Sequence, residues 1–588
     1  MLSVVAYLKS RFWGHQWYMN AIEKCPQTVD TQDSTSSSSA RLSWPRQVAS
    51  VKQELADQLD SPWMSVRQVA ELVNVPRSTL QGWLKQKQQL LQHSGLPIQV
   101  VEFFESPAGL GVLHQVLAGL HLVFGEANNA GIRSICSFLE LSGLHHFVAA
   151  SYGSQQAAAE EIEKQIVQFG HEEDQRLAAE MQPRDISVAE DETFHPQCCL
   201  VGIEPVSNFI LLEQYADRRD ADTWDRLMDE RLTGLPVTVL QVTSDEAKAL
   251  IRHAEFCLGA HHSPDLFHVQ HETVKATGFA LAGQTERAEK QLEQTRLYLE
   301  QTRQILAACT DSCPQSDYRY QLEQQLNQAE TALAAAEQDL EACRDRRQRA
   351  TEARQGLSEA YHPINVENGL PQDAETVARR LDDCFDELDQ VAEEAGLSQG
   401  ARDRLAKARR VKPRMQATID FFWTTVLSWF VKWRLPPAVA ELMREVLIPA
   451  CYLRLAAEKA STAEERKRLR ELAETVEARG RSPDCVWSFL GNLEQDELRQ
   501  RARLCAELFQ RSSSCVEGRN GHLALKHHAL HQLSGRKLSV LTVLHNYFIR
   551  RPDDSTAAER FYGHPPRDLF SWLLDRVSFP ARSRGRAA

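Results

Sequence analysis

No stretch of apolar residues in this sequence approaches the roughly 20 needed to span a bilayer. The short apolar start at residues 1–8 runs straight into Lys9, Arg11 and His15, with no small-residue cleavage site after it. These absences speak against a membrane bundle and a secretory leader, and the expected location is the cytoplasm. The 13 cysteines are scattered, odd in number and form no CxxC pair, which argues against a disulfide framework in so long a chain and for a reducing compartment. No GxxxxGK[ST] motif occurs, so no P-loop ATP site is expected. What is present is ordinary globular composition, 43% hydrophobic and 25% charged over 588 residues. That length suggests three or four domains, and that composition excludes a mostly disordered or collagen-like chain.

The net charge of −13 is unevenly spread. Residues 281–400 carry 24 acidic and 12 basic side chains, a net −12, whereas residues 510–588 carry 13 basic and 6 acidic ones, a net +7. An acidic insert thus masks a basic end, and local basic faces decide whether phosphates are attracted.

The Thr-, Ser- and Asp-rich stretch from Asp30 to Ala40 reads as a linker inside an amino-terminal tail, residues 1–45. Residues 46–95 follow as a helix-turn-helix. In the run 64–87, Val66, Val69, Leu72, Val75, Leu80 and Trp83 suit two short crossing helices, the first capped by Ser65 and the second started by Pro76. The second helix would expose Arg77, Ser78, Thr79, Gln81 and Lys85, side chains suited to phosphates and base edges. An ordinary helical hairpin is the bland alternative. Residues 96–180 read as a helical linker domain with no polar constellation.

From residue 181 the period changes. Ile186–Phe194, Cys198–Ile203, Phe209–Leu212, Val237–Val242 and Leu266–Val269 read as strands, with a helix at 221–228 and another from Glu246. The first three strands are close enough for a meander and the others need crossovers. A mostly helical, mixed α+β and α/β chain is therefore expected, with a core formed from 181–279 and 501–550.

Between those halves, 280–500 reads as a helical insertion. Leu322, Leu326, Ala329, Leu333, Ala336, Leu340 and Cys343 alternate in steps of four and three, and Leu292, Thr295, Leu299, Thr302 and Leu306 form a second seam. With Thr310–Ser316 as the turn, the pattern describes an antiparallel coiled-coil hairpin at 284–345. A basic run follows, Arg402, Arg404, Lys407, Arg409, Arg410, Lys412 and Arg414, then Trp423, Trp429 and Trp433. The run suits either DNA or solvent, and the tryptophans suit either a packed core or a stacking surface for unpaired bases. Residues 551–588 read as a basic tail ending in Arg582-Ser-Arg-Gly-Arg586.

Three carboxylates stand out by placement: Asp191 in the first strand, Asp245 at the carboxyl end of the fourth, and Glu517 near the start of a late helix. Carboxyl ends of strands are where sites form in α/β sheets, and clustered carboxylates suit hard divalent cations. On AEDET (189–193), VTSDEAK (242–248), PDLFHV (264–269), CVEGRNG (515–521) and TAAERFYGHPPRDLF (556–570), the chain resembles DDE-type bacterial insertion-sequence transposases. Those have a ribonuclease-H-like core split by an α-helical insertion. The long gap of 272 residues between Asp245 and Glu517, against 54 between Asp191 and Asp245, is similar to that split arrangement.

The resemblance implies that Asp191, Asp245 and Glu517 hold two Mg²⁺ or Mn²⁺ ions, with Arg519 and Asn520 beside substrate phosphate. It implies cleavage of transposon ends and strand transfer into target DNA, double-stranded DNA as partner, a homo-oligomer, no ATP and a bacterial, nucleoid-associated location. A ribonuclease-H-like nuclease without strand transfer and a domesticated DNA-binding scaffold remain alternatives. The strand alternation puts Val188, Glu190 and Glu192 on one face and Ala189, Asp191 and Thr193 on the other, without choosing between them. Asp265 competes with Asp245 for the second acid. Cys257, His261, His262, His268 and His271 match no regular zinc spacing, and His522, His527, His528 and His531 suit one phosphate-facing helix surface.

Overall fold

The computed structural model describes residues 65–72, 76–93, 95–309, 316–481, 485–530 and 532–579. The amino-terminal linker, the hairpin turn, His531 and the Arg582–Arg586 run lie outside the described residues. The chain divides into a small unit ending at Gly82 and a large one from Trp83 onward.

In the small unit, α1 (Val66–Leu72) precedes α2 (Arg77–His93), which continues past Gly82. Ser65 and Gln68 form a reciprocal cap: the Gln68 amide donates to Ser65 Oγ, and the Ser65 amide donates to Gln68 Oε1 at 2.8 Å. Val69, Ala70 and Leu80 are buried. Arg77, Ser78, Gln81 and Lys85 are exposed and Thr79 is half-buried.

The large unit begins with α3 (Ile98–Glu105), α4 (Pro107–Gly119), α5 (Ile132–Leu141) and the long α6 (Tyr152–Glu180). Together with the wider turn that follows it, α4 makes a 21-residue helical stretch, Pro107–Ala127, long and apolar enough to cross a membrane by length and composition. Leu113 and Leu117 of this stretch lie in a core cluster with Ile135 and Leu139, and buried His121 bonds Gln155.

The sheet comprises β1 (Arg184–Phe194), β2 (Cys198–Glu204), β3 (Phe209–Tyr215), β4 (Val237–Ser244) and β5 (His261–Pro264) in the order β3-β2-β1-β4-β5. The first three form the expected antiparallel meander, and β4 and β5 run parallel to β1. Between β3 and β5 lie α7 (Ala221–Leu232) and α8 (Lys248–Arg252). The fifth strand sits earlier than the sequence suggested. Asp265 accepts a bond from the Phe267 amide at 2.9 Å, and this cap turns Leu266–Val269 into the start of a helix.

That helix, α9 (Leu266–Ala308), pairs with α10 (Ser316–Ala360) as the expected antiparallel hairpin. It is longer than the seam indicated, because its base grows directly from the sheet. Leu292, Leu299, Leu322, Ala329 and Leu340 are buried along it. Arg296–Glu337, Arg303–Glu330 and Arg344–Glu289 pairs lace one flank. The insertion continues through α11 (Ala374–Glu394), α12 (Gln399–Arg409), α13 (Lys412–Lys432), α14 (Pro437–Leu442), α15 (Ile448–Lys459), α16 (Ala463–Arg479) and α17 (Asn492–Leu508). Its core holds Phe385, Met415, Ile419, Phe422 and Trp429. Trp423 donates its indole N–H to the Gln372 carbonyl at 2.7 Å. The tryptophans therefore pack the insertion.

The chain returns to the sheet in α18 (Ser514–Leu530), α19 (Gly535–Val543), α20 (Ala557–Tyr562) and α21 (Leu569–Arg576). Residues 551–579 are not a tail. Phe561, fully buried, stacks on Phe209 of β3 with ring centroids 4.4 Å apart, and Trp572 meets Phe169 of α6 edge-on. Likewise α6 is no linker, since Phe169 and Leu177 share that core. Both segments looked peripheral because their apolar positions are few and short, and only the tertiary fold brings them together.

Candidate active site

Two acids are brought together by strand register. β1 and β4 are parallel neighbours with Ala189 opposite Thr243. Asp191 and Asp245 each lie two residues further on, at the same edge of the sheet. The Asp245 carboxylate accepts a bond from the Ala247 amide at 2.9 Å, which turns the chain away after β4.

The third acid arrives from the far side of the insertion. Residues 508–513 run against the sheet edge. Gln241 Nε2 donates to the Gln510 carbonyl at 2.6 Å, and the Leu266 amide donates to the Arg511 carbonyl at 2.9 Å. Half-buried Arg511 donates to the Ser358 and Tyr361 carbonyls at the end of α10, where a cation suits the helix dipole. The stem of the insertion thus fixes where α18 begins. α18 lies over β1 and β2, with Val516 and Leu523 packed on Ala189, Cys199, Val201 and Ile210.

Asp191, Val201 and Glu213 form one row across β1, β2 and β3. Asn520 Nδ2 donates to Asp191 Oδ2 at 2.9 Å. Burial pushes the Asp191 carboxyl up to about 7. The negative charges of Glu517 and Asp245 push it the same way, while the Glu192 backbone amide and His268 oppose the rise. The three acids therefore share one electrostatic field. The opposite face of β1 is otherwise occupied: Glu190 pairs with His253 Nδ1 at 3.0 Å, both fully buried, and Glu192 pairs with Arg219 at 2.8 Å. Asp191, on the other face, is bonded by Asn520 instead.

Asp265 begins the next helix after β5. It caps α9, and Ser513 Oγ donates to its Oδ2 at 2.5 Å. His268, one turn into α9, has Nε2 3.7 Å from Asp265 Oδ2 and 3.9 Å from Glu517 Oε1. That nitrogen is buried without a hydrogen-bond partner. Sequence reasoning grouped His268 with a zinc cluster. The usable signal was its three-residue spacing from Asp265, which stacks the two on one helix face. The other members are engaged elsewhere: His261 stacks on Phe421, His262 bonds Ser244 and Arg414, and His271 stacks on Phe267. Among the described residues no group of three or more His, Cys, Asp or Glu side chains stands close enough to clasp an ion. The donor chemistry of Asp191, Asp245 and Glu517 suits a hard divalent cation.

Five of the basic residues named above, Arg519, Arg409, Lys412, Arg404 and Lys407, form ion pairs within the chain. Arg519 is buried and makes a two-pronged pair with Glu213, at 2.7 and 2.6 Å, so its donors do not face phosphate. Arg409 pairs with Asp382, Asp386 and Asp389, and Lys412 with Asp382 at 2.6 Å. Arg404 and Lys407 both reach Glu272. Four cations of the run, Arg404, Lys407, Arg409 and Lys412, are thereby paired within the chain. The signal lay in the acids at 382, 386 and 389, spaced i, i+4, i+7 along α11 so that they present one face to α12. Arg410 is exposed and, among the described residues, has no ion-pair partner.

Over residues 443–588 the chain is similar to a family of unknown function, DUF6399. That stretch contains Glu517 and the segment that carries it back to the sheet. No curated protein matches the chain.

Proposed function

We propose that the chain is a metal-dependent polynucleotidyl transferase of the DDE transposase type, which cuts transposon ends and joins them to target DNA inside the bacterial cell. One observation supports this above the rest. The charges of Asp245 and Glu517, from two other parts of the sequence, both act on Asp191 beside a five-stranded sheet of order β3-β2-β1-β4-β5. Mutual repulsion between those charges is what bound cations relieve. Mg²⁺ or Mn²⁺ held by these acids would supply activation of a water or 3′-hydroxyl and stabilisation of the leaving oxygen.

The chain's own groups prepare the site. Asn520 orients Asp191, and Ser513 fixes Asp265, which in turn caps the helix bearing His268. The buried Arg519–Glu213 pair sets the rotation of α18 over the sheet, and with it the direction of Glu517. Recognition of end DNA falls to the exposed face of α2, with Arg77, Ser78, Gln81 and Lys85.

The test is an assay of purified protein on labelled DNA taken from either side of its coding sequence, with Mg²⁺ or Mn²⁺. Cleaved ends joined to a target plasmid are the expected products. Hydrolysis without joining selects the nuclease, and binding without cleavage selects the scaffold.

A further inference from the structure

The two broad faces of the α9–α10 hairpin differ in charge. In the heptad register set by the buried seam, one face carries the three ion pairs between the helices, Arg296–Glu337, Arg303–Glu330 and Arg344–Glu289. The opposite face holds Gln294, Tyr298, Gln301 and Ile305 on α9, with Ala332 and Ala335 on α10. Over residues 291–308 and 321–335, every heptad position on that face is Gln, Ala, Tyr or Ile. Flanking positions of a solvated coiled coil are the usual seats of Glu and Lys, and here they are charge-free. Tyr298 and Ile305 are nevertheless 51% and 48% exposed, and apolar surface in a charge-free setting marks an interface.

We propose that this face joins two copies of the chain, hairpin against hairpin, as a four-helix bundle about a two-fold axis running along the hairpin. Shape selects a second copy as the occupant. The Arg296–Glu337 pair sets Tyr298, two residues on, level with Ala335, two residues back. A two-fold axis along the hairpin lays α9 of each copy over α10 of the other. The ridge of Tyr298 and Ile305 then meets the small side chains of Ala332 and Ala335, and the match is made twice. Charge selects the same occupant. Residues 281–400 carry a net −12, so a basic partner is drawn to the other surfaces, while two acidic hairpins approach each other only across a face without charge. The size suffices. Eighteen residues at about 1.5 Å each, across two helices about 10 Å wide, give roughly 500 Å² a side, and about 1,000 Å² in all is where specific interfaces begin. Both hairpins then point the same way, with the sheet of each copy at the same end.

The experiment is sedimentation velocity of the full chain from low to high micromolar concentration, without metal or DNA, so that its result does not depend on the acids. The chain should pass from one copy to two. Tyr298→Glu and Ala332→Glu should each raise the dissociation constant at least about tenfold, because the new carboxylate is buried where no cation faces it. Ala334→Glu, two residues along α10 on the ion-paired face, should leave the dimer intact. A second measurement needs no variant. Hydroxyl-radical footprinting of the unsubstituted chain should show Tyr298 protected as the concentration rises, while Tyr320, 63% exposed and on the ion-paired face, keeps its reactivity. A chain that sediments as one copy throughout, a dimer that persists in both Glu variants, or a Tyr298 that stays as reactive in the dimer overturns the proposal. If the variants do not fold, the footprint decides.

Discussion

Replacing Arg519 with Met removes one partner of a pair that is closed to solvent. Its side chain is 4% exposed and that of Glu213 is 0% exposed. Two bonds of 2.7 and 2.6 Å join them, and Thr542 Oγ1 donates a third to Glu213 at 2.6 Å. After the substitution the Glu213 carboxylate keeps only the Thr542 hydroxyl. Breaking a buried pair from one side costs about 3–5 kcal/mol, whereas replacing both partners by apolar groups of similar volume is often near neutral. R519M should therefore lower the opening free energy of the β1–β3 amides by about 3–5 kcal/mol, measured by native-state hydrogen exchange, which reads this unit without assuming that the whole chain unfolds at once. The double variant R519M/E213L should recover most of that loss. Because Arg519 makes no phosphate contact, the salt slope of DNA binding should stay as it was. A cost below about 1 kcal/mol, together with a shallower salt slope, would refute the argument and return Arg519 to the DNA surface.

Phe561→Ala should cost about 3–5 kcal/mol, since the ring is buried against Phe209. Chain ending at residue 550 should lose the near-ultraviolet circular dichroism of the sheet unit. Burial and Arg414 push His262 down to about 4 from an ordinary value of 6.5, so the unfolded chain binds the extra proton first. Stability should be complete above pH 6.5 and decline as the pH falls towards 4, and His262→Gln should flatten that decline in urea titrations. On α2, Arg77→Ala and Gln81→Ala should weaken binding to end DNA more than to random DNA. Lys85→Ala should weaken both alike and reduce the salt slope by about one.

What was legible in the sequence follows from how local the physics is. Strands β1 to β4 were legible because a two-residue alternation or a short apolar run is self-contained, and the hairpin because its seam repeats. Leu266–Val269 was misread as a strand because four apolar-rich residues fit either period, and the Asp265 cap settles the matter only through its bond to Phe267. The three acids stood out by placement, and the resemblance picked Asp191 over its neighbours; in the fold Glu190 pairs with His253 and Asp191 with Asn520. The pairing of the basic run was not legible because its acids, Glu272 on α9 and Asp382, Asp386 and Asp389 on α11, lie on other helices. Arg519 was misjudged because its partner Glu213 is 306 residues away in sequence, a separation that spacing within a motif cannot reveal.

The proposed function requires Asp191, Asp245 and Glu517 to act as one cation-binding site. Electron paramagnetic resonance of Mn²⁺ titrated into the full chain tests it most directly, because free and bound Mn²⁺ give distinct signals. The unsubstituted chain should bind Mn²⁺, and Asp191→Asn, Asp245→Asn and Glu517→Gln should each abolish or strongly weaken that binding. Glu192→Gln, one residue along β1 on the opposite face, should leave it intact. Undiminished binding in all three acid variants would contradict the account.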